Sequence, residues 1–262
     1  MIETISIFII IMITSLIGYL LQSLTFSGAI AASLVGVAVF AGFGVKGLIL
    51  LGVFFATSSL WSKYKAGYKR NIEEKLAKGA TRDWRQVVAN GGAAALFSMF
   101  YYLHNDLTWL IGFIVTIASA NSDTWASEIG PLSKKDPLFI RTFRRIERGT
   151  SGAVSLLGSG AAMAGSLLIS LLSFWLFHLD FFSSLIILLF GFLGNVIDTV
   201  IGAFYQQLYI CRLCGIETEK RHHCQIPTIR IKGFALVDND MVNFISGMLA
   251  AIFAIAFIHV TN

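Results

Sequence analysis

The chain has 262 residues, 56% of them hydrophobic and 13% charged, with a mean hydropathy of +0.74. A soluble domain carries roughly 25% charged residues, so this composition excludes one, and with 3 prolines and 24 glycines it is no Pro-rich linker protein either. The net charge of +5 does not point to nucleic acid: all 20 Lys+Arg except Lys46 fall in three segments, 62–85, 131–149 and 209–236, set between apolar runs. The positive-inside rule accounts for that pattern and puts all three segments in the cytoplasm.

A helix needs about 20 apolar residues to cross the hydrocarbon core. Runs of that kind are predicted near 3–22, 27–44, 47–61, 86–103, 107–129, 152–177, 182–207 and 241–260. The expected fold is an all-α polytopic integral membrane protein, a single membrane domain over 1–262 with about eight transmembrane helices (seven to nine admissible). The first run lacks a basic leader and is longer than the roughly 7–15 apolar residues of a signal peptide, so it is read as a span. Gly42, Gly44 and Gly47 form a weak boundary between the second and third runs, where a re-entrant hairpin is the alternative. The short links 104–106 and 178–180 hold no Lys or Arg and are expected outside, as are both termini. Small residues such as Gly28, Gly36, Ala161 and Gly165 suit close helix packing in lipid.

Glu3, Asp106 and Asp180 fall at the expected external ends, in reach of water. Asp123, Glu128, Asp198, Asp238 and Asp240 instead fall in the cytoplasmic halves or mouths of spans, with Asn90, Asn121, Asn195, Asn239 and Asn243. Helical spacing puts Asn121, Thr124 and Glu128 in one row and Asp123 and Ser127 in the adjacent one. Asn195, Asp198 and Gly202 share a face of the seventh span, and Asn239 and Asn243 one of the eighth. Ionisable groups at such depth are expensive and face an interior cavity. Carboxylates with Asn and Ser/Thr oxygens are hard ligands suited to Mg²⁺ and substrate phosphates, and the Lys and Arg above them suit phosphate oxygens. Together they form a constellation for phosphoryl transfer, in which catalysis is largely positioning and charge neutralisation. Intramembrane Asn and Ser also simply bond across helices.

Several stretches are long enough to carry a resemblance: SLTFSGAIAA at 23–32, SSLWSKYK at 58–65, RDWRQVVANGGAAAL at 82–96, NSDTWASEIG at 121–130, RGTSGAVS at 148–155 and DNDMVNF at 238–244. Together they resemble the domain-of-unknown-function-92 family, which includes transmembrane protein 19 and the plant phytyl-phosphate kinase of tocopherol synthesis. A partial similarity to dolichol and phytol kinases runs through their G-D-x-x-A-x-x-x-G pattern, met by Asp123, Ala126 and Gly130 with Ser122 at the leading glycine, and through Gly149-Thr150. Those kinases use CTP, so the resemblance implies a CTP-dependent isoprenoid phosphate kinase in the cell membrane. Its site would face the cytoplasm, with a lipid monophosphate or alcohol as acceptor.

The same resemblance implies roles. Asp123 and Glu128 would bind Mg²⁺, with Asp198 completing the catalytic set. Lys134, Lys135, Arg144 and Arg145 would cradle the triphosphate. The Gly149-Thr150-Ser151-Gly152 turn, expected to open the sixth span, would offer backbone N–H groups to phosphate or serve as a plain N-cap through Thr150 or Ser151. Asp240, Asn90, Asn121, Asn195 and Asn243, with Lys63 and Arg82, would attend the acceptor. Two other classes use comparable groups. A lipid-phosphate or ion transporter, or flippase, would read Asn121-x-Asp123-Thr124 and Asn195-x-x-Asp198-Thr199 as marks of two related halves. A cytidylyltransferase would release pyrophosphate instead of CDP.

The three cysteines lie between 211 and 224: Cys211-x-x-Cys214, then His222-His223-Cys224. Three Cys with either His222 or His223 can supply a structural tetrahedral Zn²⁺ site. The alternative is a set of unliganded thiols on the reducing side.

Overall fold

In a computed structural model, residues 2–73, 76–77 and 79–261 are described. Glu74, Lys75 and Lys78 lie outside the described residues, as do the side chains of Glu3, Arg70 and Glu73. The elements are α1 (Ile2–Leu20), α2 (Phe26–Lys63), a short α3 (Ala66–Glu73), α4 (Trp84–His104), α5 (Leu107–Ile129), α6 (Leu156–Phe177), α7 (Phe181–Phe204) and α8 (Asn239–Thr261).

Local chemistry sets the helix ends. Asp83 and Gln86 form a capping box on α4; Asp106, Ser155 and Asp180 cap the N-termini of α5, α6 and α7. The two short links share one construction. Asn105 (φ 51°) and His178 (φ 53°) end α4 and α6 in the left-handed conformation, and an aspartate then opens the next helix within two residues. That Asp-capped reversal is how a link of two or three residues joins antiparallel helices. The amide of Thr108 holds the exposed Asp106 carboxyl below the usual carboxylate range. The Ser183 hydroxyl and amide do the same for Asp180.

The weak glycine boundary is a true reversal. Gly44 sits at φ 60°, ψ −149°, outside helical space, and breaks α2 into two antiparallel arms. A Cβ on Gly47 would meet Val39 at 2.9 Å, and one on Gly36 would meet Leu48 at 3.9 Å, contacts a straight helix would forbid. The second and third predicted runs are therefore separate helices.

α5 lies at the centre, buried on every side from Leu110 to Ser122. Small residues let its neighbours approach, as expected: a Cβ on Gly165 of α6 would stand 3.0 Å from the Asn121 carbonyl oxygen. Large apolar side chains such as Leu34, Leu103 and Trp175 are exposed on the outside of the bundle. By length and composition, α2, α6, α7 and α8 are apolar enough to cross a membrane.

The fold is not purely helical. The loop before α6 pairs β1 (Leu138–Phe139) with β2 (Arg144–Arg145) and β3 (Ala153–Val154). The insertion before α8 forms a second sheet in the order β5-β4-β8, from β4 (Leu208–Ile210), β5 (Glu217–Thr218) and β8 (Ile229–Lys232). It also forms a hairpin of β6 (His222–His223) and β7 (Ile226–Pro227). These strands shorten two predicted spans: α6 starts at Leu156 rather than 152, and α7 stops at Phe204 rather than 207. All three basic segments gather at one end of the bundle. Arg148 reaches the Tyr68 hydroxyl at 2.6 Å, Arg85 pairs with Asp238 at 2.7 Å, and the Ala77 amide donates to Glu219.

Candidate functional site

At that end, Asp123, Ala126, Ser127 and Gly130 present one face of α5 to a polar cleft with two lobes. The first lobe is closed by Asn195, Asp198 and Thr199 of α7 and by the turn Gly149–Gly152. The second, about 510 Å³, is lined by Arg82, Arg85, Asn90, Thr124, Glu128, Asp238, Asp240 and Asn243. Asp123, Ser127, Glu219 and Asn239 belong to both lobes. Asp123 and Asp198 line the same lobe from two different helices. Asn243, with its amide nitrogen toward α7, donates to Asp198 Oδ2 at 3.0 Å; the opposite orientation would set two acceptors face to face. Ser246 donates to the same oxygen at 3.3 Å.

Asp123 and Glu128 both line the second lobe, as their pairing requires, but they are engaged differently. Glu128 lines that lobe with both its oxygens engaged by α2 and α3. Ser62 donates to one at 2.7 Å and the buried Lys69 ammonium to the other at 2.5 Å. Lys69 also donates to the Trp61 carbonyl at 2.7 Å, so it knits three segments. In the first lobe Asp123 meets Asp198 and Glu219.

The 149–152 turn lines the first lobe, but it does not open α6. Two residues of β3 intervene, and Ser155 is the N-cap, accepting from the Gly158 amide at 3.0 Å. Thr150 bonds back to the Glu147 carbonyl and Ser151 to Gln206, so neither caps the helix. The turn keeps its shape through Gly149 and Gly152, at φ 83° and 86°; a Cβ on Gly152 would collide with Ala203.

Lys134, Lys135, Arg144 and Arg145 are exposed and do not line the cleft. Arg145 donates to the Asp136 carbonyl, and Lys134 offers its carbonyl to Arg148. Among the described residues, the cations at the cleft are Arg148, Arg82, Arg85, Lys69, Lys220 and Arg221. Lys63 is exposed and donates to the Leu21 carbonyl at 2.8 Å, tying α2 to the end of α1. Asn121 is fully buried, accepting from Thr57 and donating to the Gly165 carbonyl at 2.8 Å, a bond between helices rather than a substrate group.

Glu219 is the acid that counting loop charges hides. It accepts from Gln206 at 2.7 Å, and Gln206 accepts from Ser151 at 2.7 Å, which joins the insertion to the glycine turn. Burial pushes its carboxyl up to about 6 against hydrogen bonds from Ala77 and Gln206. No sequence pattern marks it, because the strand before it, Glu217–Thr218, is too short to show a period.

An apolar cavity of about 410 Å³ opens between α1 and the two arms of α2, lined by residues such as Ile11, Val35, Gly36 and Phe55. Its polar end is formed by Arg82, Gln86 and Asn90, which also line the second lobe. Arg82 is held there by Ser59 and Ser62 and lies over the Phe55 ring.

In the insertion, the ligand atoms of Cys211, Cys214, His223 and Cys224 lie within 4.8 Å of one another. The choice between the two histidines falls on His223, whose Nδ1 is 3.4 Å from the Cys214 sulfur and 3.2 Å from that of Cys224. His222 lines the cleft. The backbone amides of Cys214 and Leu213 face the Cys211 sulfur and pull its thiol down to about 6.

Residues 9–251 match the family described as integral membrane protein DUF92. Protein PGR of Arabidopsis thaliana is 33% identical, over 92% of this chain and 92% of its own. The uncharacterized membrane protein MJ0933 of Methanocaldococcus jannaschii is 35% identical over 69% of this chain and 74% of its own. Protein VTE6, chloroplastic, of Arabidopsis thaliana is 26% identical over 90% of this chain and 66% of its own. No solved structure matches. This chain belongs to the integral membrane protein DUF92 family.

Proposed function

We propose that the protein is a membrane-embedded kinase that moves a phosphoryl group from a cytosolic nucleotide, CTP by resemblance, to an isoprenoid monophosphate or alcohol. The observation that carries this reading is the junction at Arg82, Gln86 and Asn90, where an apolar cavity meets a carboxylate-lined cleft. An acceptor with a long apolar chain and a polar head needs both compartments. The chain enters from lipid between α1 and α2 without leaving an apolar phase, and its head group stops beside Arg82.

The hard oxygens of Asp123 and Asp198, with Ser127, Asn195 and Glu219 around the same lobe, fit Mg²⁺. When bound, Mg²⁺ offsets the charge of the donor phosphates. Arg148 and the backbone of the 149–152 turn hold the donor. Arg82 and Arg85 neutralise the acceptor and keep it from repelling the incoming triphosphate. A phosphate oxygen of the acceptor attacks the γ-phosphorus, the bond from that phosphorus to the β–γ bridging oxygen breaks, and CDP leaves with the electron pair; an alcohol acceptor would in addition pass its hydroxyl proton to a carboxylate of the lobe such as Asp123. The buried run Leu110–Ser122 of α5 fills the far half of the bundle, which supports a one-sided site over a transport path.

Purified protein given Mg-CTP and prenyl monophosphates of several lengths tests this. Label from the γ position is expected in the prenyl product, with CDP released. Label arriving only from the α position, with pyrophosphate, would make the protein a cytidylyltransferase. Labelled product with no donor, acceptor or chain length would sink the enzymatic reading.

A further inference from the structure

We propose that Cys211, Cys214, His223 and Cys224 form a structural Zn²⁺ site that staples the 205–238 insertion and thereby holds Glu219 at the cleft. Three sulfurs and one imidazole nitrogen within 4.8 Å of one another are a complete tetrahedral set, with no position left open for substrate.

The backbone brings the set together on two turns. Cys211 and Cys214 flank the tight turn after β4, closed by the Gly215 amide on the Cys211 carbonyl at 2.9 Å, with Gly215 at φ 73°. His223 and Cys224 sit on the β6–β7 turn, where Cys224 and Gln225 both hold positive φ, at 49° and 63°. Two non-glycine residues in that region carry a conformational cost that some other interaction must offset.

The insertion also lacks a core of its own. Among the described residues its buried hydrophobic side chains are Tyr209 and Cys211. Units below about 40 residues usually need a metal or disulfides to hold together, and zinc binding then supplies folding free energy directly. Each thiol that binds releases its proton to solvent, so no oxidant is involved. The consequence reaches the cleft: β4 pairs Ile210 with Glu217 and Tyr209 with Thr218, and Glu219 is the next residue. This proposal does not depend on the kinase reading, because it concerns how the insertion is held.

The test uses the full chain in detergent, purified without chelators and with zinc present. Elemental analysis is expected to find about one zinc per chain, and X-ray absorption to show three sulfurs and one nitrogen. Cys224→Ser and His223→Ala should each weaken binding by more than the roughly 10–100-fold typical of losing an outer-sphere partner, while His222→Ala keeps the metal. Chelation should raise hydrogen exchange across β4, β5 and β8 and leave the helices protected. A chain that binds less than about a tenth of an equivalent, with thiols free or joined as disulfides, would overturn the site. Retention of zinc by His223→Ala would overturn the ligand set. Unchanged exchange after zinc removal would overturn the stapling role.

Discussion

Asp123 and Glu128 are five positions apart on α5, about 140° around its axis, and that offset gives the two acids different work. Asp123 faces α7 and the glycine turn; Glu128 faces Ser62 and a buried Lys69. Two substitutions separate these roles. Asp123→Asn and Asp198→Asn are expected to lower kcat by about 10²–10³-fold, the scale of losing one preorganised electrostatic group, with the thermal midpoint nearly unchanged. Glu128→Gln strands the Lys69 ammonium and should destabilise the fold by about 3–5 kcal/mol, seen as a lower midpoint in detergent. Lys69→Met in the same chain should recover most of that loss. The helical rows were legible in the sequence because a period of 3.6 fixes which residues share a face. Which row met which neighbour was not, since that depends on the rotation of α5 against α2, α4, α6, α7 and α8.

The insertion between α7 and α8 carries the least legible part of the site. Strands of two to four residues have no periodicity to detect, and summing the charges of a basic loop treats every acid in it as solvated. Glu219 escapes that sum because the sheet turns it inward. Its carboxyl lies at about 6 rather than the usual value near 4.5, so the folded chain binds the proton more tightly than the unfolded one. The folded state is therefore favoured below pH 4.5, and that contribution is lost as pH rises through about 6. Glu219→Gln should accordingly gain in midpoint relative to wild type at pH 8 and not at pH 4, a difference measurable by thermal scans across pH. The glycine turn is a second element-scale case. Gly152→Ala adds a Cβ against Ala203 at a positive φ, a strain of about 1–3 kcal/mol, and should weaken donor binding, raising the KM for nucleotide more than it changes the KM for lipid.

At the scale of the whole molecule, the bilayer makes much of the architecture readable. Apolar runs of one bilayer thickness and basic loops on alternate links leave few arrangements, and the structure gathers those loops at one end. The apolar cavity was not legible, because its walls come from α1, both arms of α2 and α4, and no short-range pattern marks a gap between helices. It carries its own prediction. Gly36→Phe places a ring in the cavity beside Ile11 and should raise the KM for long-chain acceptors at least about tenfold, by roughly 1.4 kcal/mol, while a short-chain phosphate acceptor is spared. Equal loss with both acceptors would mean that the cavity does not hold the chain.

The account rests on Asp123 and Asp198 facing a common ion and the donor phosphates. The most direct measurement is a crystallographic or cryo-EM structure of the full protein with Mn²⁺ in place of Mg²⁺ and a non-hydrolysable CTP analogue. Metal density between the Asp123 and Asp198 carboxylates, with phosphates reaching toward Arg148 and the 149–152 turn, is the predicted result. Metal seated at Glu128, or nucleotide bound outside the cleft, would contradict it.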